Sequence, residues 1–221
     1  MTSITIPDGV TSIAVSAFYG CHSLTYNKKD NLKYLGNSNN PYLHLVGTEN
    51  GSITTVSIDS NCKFIAEKAF YNCNGLKSVV IPDSVTSIGE YAFYNCSNLT
   101  SVVIGDSVKS ISYRAFYGCS NLTSVVIGDS VTSIGDNAFY DCDSLTSITI
   151  PDSVTKIGKY AFYSCGLLMS IIFADSSTWY RTTNYANWLN KTGGTSMNVT
   201  DSYANARYFK STYNNSYWYK L

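Results

Sequence analysis

Charge is scarce in this chain. Only 14% of its 221 residues are Asp, Glu, Lys or Arg, against roughly 25% in ordinary globular domains. The 15 basic and 15 acidic side chains cancel. Without a basic stripe to follow a phosphate backbone, nucleic acid is not an expected partner, and the same lack argues against an anionic membrane surface. Long apolar runs are also missing: nothing approaches the ~20 residues that cross a bilayer, so no membrane insertion is expected. The opening MTSITI does not have the pattern of a secretory leader. It reads as repeat strand, so the chain starts in mid-pattern, and such an end is expected to follow upstream sequence or to pack on something.

Catalytic material is equally thin. Histidine occurs twice, as His22 in a helix-to-strand turn and His44 within a hairpin. No Cys/His nucleophile pair can be assembled from them. No Gly-rich phosphate loop occurs, and the Gly-Asp-Ser triplets are repeat turns. Neither enzymatic activity nor a cofactor is expected.

What the chain has is repetition. Ala-Phe pairs fall every 23 residues, at Ala69/Phe70, Ala92/Phe93, Ala115/Phe116, Ala138/Phe139 and Ala161/Phe162, with a further pair at Ala17/Phe18. A fixed period of this length means a solenoid, in which coils bury apolar faces against their neighbours. The coils are 1–23, 53–75, 76–98, 99–121, 122–144 and 145–167. Within 99–121, strand alternation turns Val102 and Ile104 inward and Ser101 and Val103 outward. Gly105-Asp106-Ser107 turns the chain, Val108 and Ile111 form a second inward pair, and Ala115, Phe116 and Cys119 suit one helical turn with an apolar face. Residues 24–52 break the period. Runs at Leu32–Leu35 and Tyr42–Val46, separated by Gly36-Asn37-Ser38-Asn39-Asn40-Pro41, read as a hairpin. It is expected to stand in place of the helical turn of an enlarged coil, with Leu43 and Leu45 continuing the core. Beyond 1–173 the repeat dissolves into an aromatic segment, 174–221, expected to cap the last coil with Trp179 and Trp188 over Leu168 and Ile171.

Six of the seven cysteines, Cys21, Cys73, Cys96, Cys119, Cys142 and Cys165, share one register three residues after the repeat Phe, and Cys62 sits where other coils carry Val. Coils one strand spacing apart, ~4.8 Å, make neighbour disulfides conceivable, but parallel stacked side chains rarely point at each other. Buried free thiols are the favoured reading. One Cys per coil lacks the paired spacing of a zinc site, so no metal is expected.

The repeat Leu-x-x-Val-x-Ile-Pro/Gly-Asp-Ser-Val-x-x-Ile-Gly-x-x-Ala-Phe-x-x-Cys-x-x closely resembles the BspA-like, Treponema-type leucine-rich repeat over 1–173, apart from the enlarged coil. YLGNSNNPYL in that coil, TWYRTTNYANW in the tail and the terminal YWYK look like segments of surface proteins from gut-dwelling clostridia-like bacteria. The resemblance implies a right-handed, strand-dominated solenoid with a parallel sheet on its concave face, in a secreted or cell-surface protein. It also implies adhesion to a host or bacterial surface protein.

Three periodic columns are candidates for contact. Asp8, Asp83, Asp106, Asp129 and Asp152 recur in the turns, where a hydrogen-bonding role outweighs a calcium site because no second carboxylate recurs beside them. Tyr19, Tyr71, Tyr94, Tyr117, Tyr140 and Tyr163 follow the repeat Phe, and either pack on one another or bind sugar. The outward strand positions Ser78, Val80, Ser101, Val103, Ser124, Val126, Ser147 and Thr149 form a smooth, nearly uncharged surface and are the leading candidates for protein contact. The expected function is a non-enzymatic protein-binding module. The alternatives are a carbohydrate-binding module using the tyrosines and a repeat spacer within a larger surface protein.

Overall fold

The computed structural model describes residues 1–14, 17–18, 20–21, 23–212 and 214–221, omitting the side chain of Thr212. Tyr19 and His22 therefore lie outside the described residues. Each repeat winds once and contributes a rung to two ladders of strands. The longer strands, Ser78–Ile81, Ser101–Ile104 and Ser124–Val126, form one parallel sheet, and Ser147–Ile150 and Ser170–Phe173 form another. Their register is one repeat: Val79 faces Val102, Val102 faces Val125, and Ile148 faces Ile171. Alternation sorts the side chains as the sequence predicts. Val79, Ile81, Val102, Ile104, Ile148 and Ile150 are buried, while Val80, Val103 and Val126 face out. In the first coil MTSITI forms no strand; it is tied down by Ile6 N–H donating to the Gly36 carbonyl (3.0 Å) and Thr25 N–H to that of Thr2 (2.9 Å).

The second ladder comprises Phe64–Ile65, Ser87–Ile88, Ser110–Ile111, Ser133–Ile134 and Lys156–Ile157, all parallel. Here the hairpin differs from expectation. Its strand His44–Thr48 pairs in parallel with Phe64–Ile65 and thus extends this ladder, with Leu32–Leu35 and Asn27–Lys29 added antiparallel beyond it. The hairpin does not stand in for the turn. Leu43, His44 and Leu45 are all buried, so the strand is sealed on both faces and belongs within a sheet.

The third side of each coil is a run of turns, with two kinds of hydrogen bond alternating along it. Cys119 N–H bonds three residues back to Phe116 O at 3.3 Å, whereas Arg114, Phe116 and Gly118 donate forward, to the carbonyls of Asp136, Ala138 and Tyr140 in the next coil. The alternation needs a left-handed residue at two positions per coil, occupied by Lys68 and Asn72, Tyr91 and Asn95, Arg114 and Gly118, Asn137 and Asp141, and Tyr160 and Ser164. The second of each pair is short and polar or glycine, the types that tolerate that conformation best.

Inside, the repeat phenylalanines stack. Phe70, Phe93, Phe116, Phe139 and Phe162 have centroids 4.8, 5.0, 5.3 and 5.4 Å apart and planes within 8° of parallel. Phe209 ends the stack by meeting Phe162 edge-on at 5.7 Å. The segment 174–221 closes this end with strand Tyr217–Lys220, antiparallel to Lys156–Ile157, followed outward by Trp179–Thr182 and Thr195–Met197. Buried Trp179 packs on Phe173 at 4.8 Å. Trp188 does not cover Leu168 and Ile171; it stacks on Tyr217 at 4.9 Å, and its Nε1–H donates to Trp218 O. Helix Ser202–Arg207 lies against Ser170–Phe173, and buried Asn205 donates from Nδ2 to the Ile171 carbonyl at 3.0 Å.

Phe116 is fully buried between two like rings. Truncating it to Ala removes both contacts and leaves a cavity, so urea denaturation should show a loss of about 3–5 kcal/mol. His44, in a smaller apolar cluster with Phe18 and Phe64, is held neutral: burial pushes its imidazole down to about 4, against a Phe64 backbone contact that raises it. Between the unfolded value near 6.5 and about 4, the unfolded chain takes up a proton that the folded chain does not. Stability therefore falls as pH drops through that window, by on the order of 3 kcal/mol at most. Denaturation at pH 7 and pH 4.5 should show this loss in the wild type, and His44→Gln should reduce it.

Candidate functional site

On the outward face of the long strands, the coil step sets one side chain above its copy. Val80, Val103, Val126 and Ile172 are 62, 39, 52 and 47% exposed, with Met169 at 59%. Ser78, Ser124, Ser147 and Thr149 are exposed and Ser101 is half-buried. Beside this stripe runs a threonine column whose hydroxyls are spent on the preceding coil: Thr100 Oγ1 donates to Lys77 O at 2.9 Å and Thr123 Oγ1 to Thr100 O at 3.0 Å. The eight predicted contact residues thus share one face, which offers β-branched surface and almost no charge. Leu167, 60% exposed, and Met169 extend the apolar surface at the last coil.

The tyrosine column is a ladder of its own. Tyr71, Tyr94, Tyr117 and Tyr140 stack at 4.9, 4.9 and 4.7 Å with planes within 14° of parallel, and Tyr163 closes it tilted by 48°. The rings cover each other's faces and present edges and hydroxyls outward. Tyr71, at the end, is 42% exposed; the others are half-buried. Arg114 lies among Tyr91, Tyr113 and Tyr117, its guanidinium carbon 5.9, 5.0 and 5.2 Å from the three ring centres. This cation–π cluster was not anticipated, although Tyr91 and Arg114 stand one period apart in the sequence.

The remaining columns serve the fold. Asp106 N–H donates to Asp83 Oδ1 at 3.0 Å and Asp129 N–H to Asp106 Oδ1 at 3.3 Å, so these two carboxylates each anchor the next turn. Gly105 and Gly128 belong to the same turns because a Cβ there would lie 2.6 and 2.5 Å from the backbone of the preceding coil. Four of the six register thiols reach back one coil: Cys96, Cys119, Cys142 and Cys165 donate to the carbonyls of Phe70, Phe93, Phe116 and Phe139 at 3.1–3.3 Å. Burial pushes Cys62, Cys119 and Cys165 up to about 12, and Cys73, Cys96 and Cys142 are raised as well. All seven cysteines are free, and no group of three or more metal-ligating side chains occurs among the described residues.

Stacked coils of strand, turn and strand around an apolar interior define a leucine-rich repeat solenoid. More narrowly, the chain belongs to the BspA-type leucine-rich repeat family: six copies of the BspA type leucine rich repeat region match residues 1–39 and 48–169. A leucine-rich repeat protein of Treponema pallidum is 32% identical over 58% of this chain and 62% of its own, with a TM-score of 0.56. One from Bacteroides ovatus is 34% identical over 67% of this chain and 39% of its own, at 0.51. The pneumococcal vaccine antigen PcpA shares the fold at 17% identity, covering 78% of this chain and 45% of its own, at 0.59. The chain spans less than two thirds of each of these proteins. No curated protein matches it.

Thiol accessibility follows from this arrangement. Six cysteines are buried and only Cys21 is partly exposed. Under native conditions Ellman's reagent should titrate about one thiol quickly, with the rest reacting only on unfolding. Rapid reaction of several thiols would mean that the interior is open.

Proposed function

We propose that this chain is a non-enzymatic recognition module of a bacterial surface or secreted protein, binding a protein partner across the long-strand face. The observation that carries the reading is the stripe of exposed Val80, Val103, Val126, Thr149 and Ile172, one per coil, on the outward face of the two successive parallel sheets of long strands. Water-facing apolar surface arranged contiguously is what soluble proteins usually hide or use. The sheet is preorganised, so binding orders little. A surface location is supported by the family and by the antigen role named for the pneumococcal relative. Among the described residues no helix is long and apolar enough to cross a membrane.

Sugar binding by the tyrosines has weaker support, because stacking a pyranose requires a free ring face and the ladder's internal faces are taken. The two surfaces can be separated directly. Val103→Lys with Val126→Lys places two cations on the stripe and touches no buried residue, so thermal unfolding should shift little. Proteins that the wild type captures from epithelial extract or bacterial surface fractions should be lost with this variant and retained by Tyr94→Ala with Tyr117→Ala. Retention by the lysine variant, or no capture at all, contradicts the proposal.

A further inference from the structure

The sheet that carries the short strands ends, among the described residues, in two edge strands: Asn27–Lys29 on one side and Thr195–Met197 on the other. An edge strand offers a row of unpaired backbone N–H and C=O groups, and proteins usually guard it with charge, proline or a covering segment. The first edge is guarded. Lys28 and Lys29 stand on it, Asp30 follows, and the two ammoniums are paired with Glu49 and Asp59 at 2.6 Å each. The second edge is bare. Thr195 and Ser196 are exposed and Met197 is half-buried, and from Thr192 to Thr200 the sequence TGGTSMNVT contains neither charge nor proline. Its inner side pairs antiparallel with Trp179–Thr182, where Ser196 faces Tyr180, so only the outer side is open.

The charges that bracket this edge decide what can pair with it. Lys191 lies five residues before Ser196 and Asp201 five residues after it. A second copy added in parallel register would set lysine beside lysine and aspartate beside aspartate, which repels. Added antiparallel about a twofold axis at Ser196, it sets Ser196 opposite the partner's Ser196, Thr195 opposite the partner's Met197, and Lys191 towards the partner's Asp201. The twofold axis makes that last pairing twice. Both groups have capacity for it. Lys191 is held below the usual lysine pKa by burial and by the charges of Lys156 and Lys220, so a carboxylate would relieve it. Asp201 spends Oδ1 on the Tyr203 and Ala204 N–H groups, as the cap of helix Ser202–Arg207, and leaves Oδ2 outside those bonds. A contact of this kind uses one patch twice and closes on itself. We propose that two copies of the chain associate through Thr195–Met197, antiparallel about Ser196, joining their short-strand sheets edge to edge. Such short strands bury little area, so the dimer is weak and forms as concentration rises. The contact uses backbone edges and not the long-strand stripe, and it does not rest on the function proposed above; where both hold, pairing makes the module bivalent.

Sedimentation velocity of the chain from about 5 to about 500 µM, the range suited to a weak interface, should show a shift from monomer towards dimer. Ser196→Lys and Ser196→Asp set like charges opposite one another across the twofold axis. Each should weaken self-association about tenfold, and an equimolar mixture of the two, with opposite charges facing, should recover it. Ser196 is exposed, so neither change should disturb folding, which thermal unfolding checks. Val103→Lys with Val126→Lys should leave the dimer intact. A wild type that stays monomeric at the highest concentration, an unchanged dimer in either Ser196 variant, a mixture that does not recover it, or loss of the dimer in the stripe variant would each overturn the proposal.

Discussion

The structure depends on a translation: each coil lies about one strand spacing from the last, and side chains at one repeat position lie above one another in columns. The Phe ladder, with centroid spacings of 4.8–5.4 Å, shows how closely the interior follows that step, since hydrogen-bonded strands lie ~4.8 Å apart. A residue can occupy an interior column only if it is compatible with itself at that distance. Phenylalanine, leucine, isoleucine and valine satisfy the rule by dispersion. Cysteine satisfies it by donating to the preceding coil's carbonyl instead of meeting its own copy. A charge cannot, because it would sit beside an equal charge in a low dielectric. The absence of charge from the interior columns is thus a consequence of the repeat.

The same translation dictates what happens to the backbone. On two sides the coils pair as parallel strands, and on the third alternate N–H groups point forward along the axis through the left-handed residues. Such a stack satisfies its backbone internally but has open ends. At one end the segment 174–221 supplies antiparallel strands and an asparagine that hydrogen-bonds the last long strand. Near the other, the hairpin lengthens one ladder. Features that occur once arise where the translation is interrupted, whereas the long-strand stripe is a product of its continuity.

Much of this was legible in the residues. The Ala-Phe spacing gave the 23-residue step seen in the strand register, strand alternation sorted Val79 from Val80, and the Cys register placed buried thiols. In the carboxylate column, Asp83 and Asp106 anchor the next turn as read. What escaped was non-periodic. Trp188 lies on Tyr217 rather than on the last coil, because the tail has no repeat against which its orientation could be read. The hairpin's position depends on Leu43, His44 and Leu45 being buried on both faces, which the sequence shows only as a short mixed run. The forward hydrogen bonds did leave a signal, the short polar or glycine residues at Asn72, Asn95, Gly118, Asp141 and Ser164, but a helical turn explained the same apolar spacing.

The most direct test of self-stacking is a pair of double-mutant cycles on the phenylalanine column. Phe93→Leu and Phe116→Leu alter adjacent coils, whereas Phe70→Leu and Phe139→Leu lie three steps apart. Equilibrium denaturation should give a coupling of about 0.5–1.5 kcal/mol for the adjacent pair and additivity within about 0.5 kcal/mol for the distant one. Equal coupling in both cycles, or none between Phe93 and Phe116, would contradict the account.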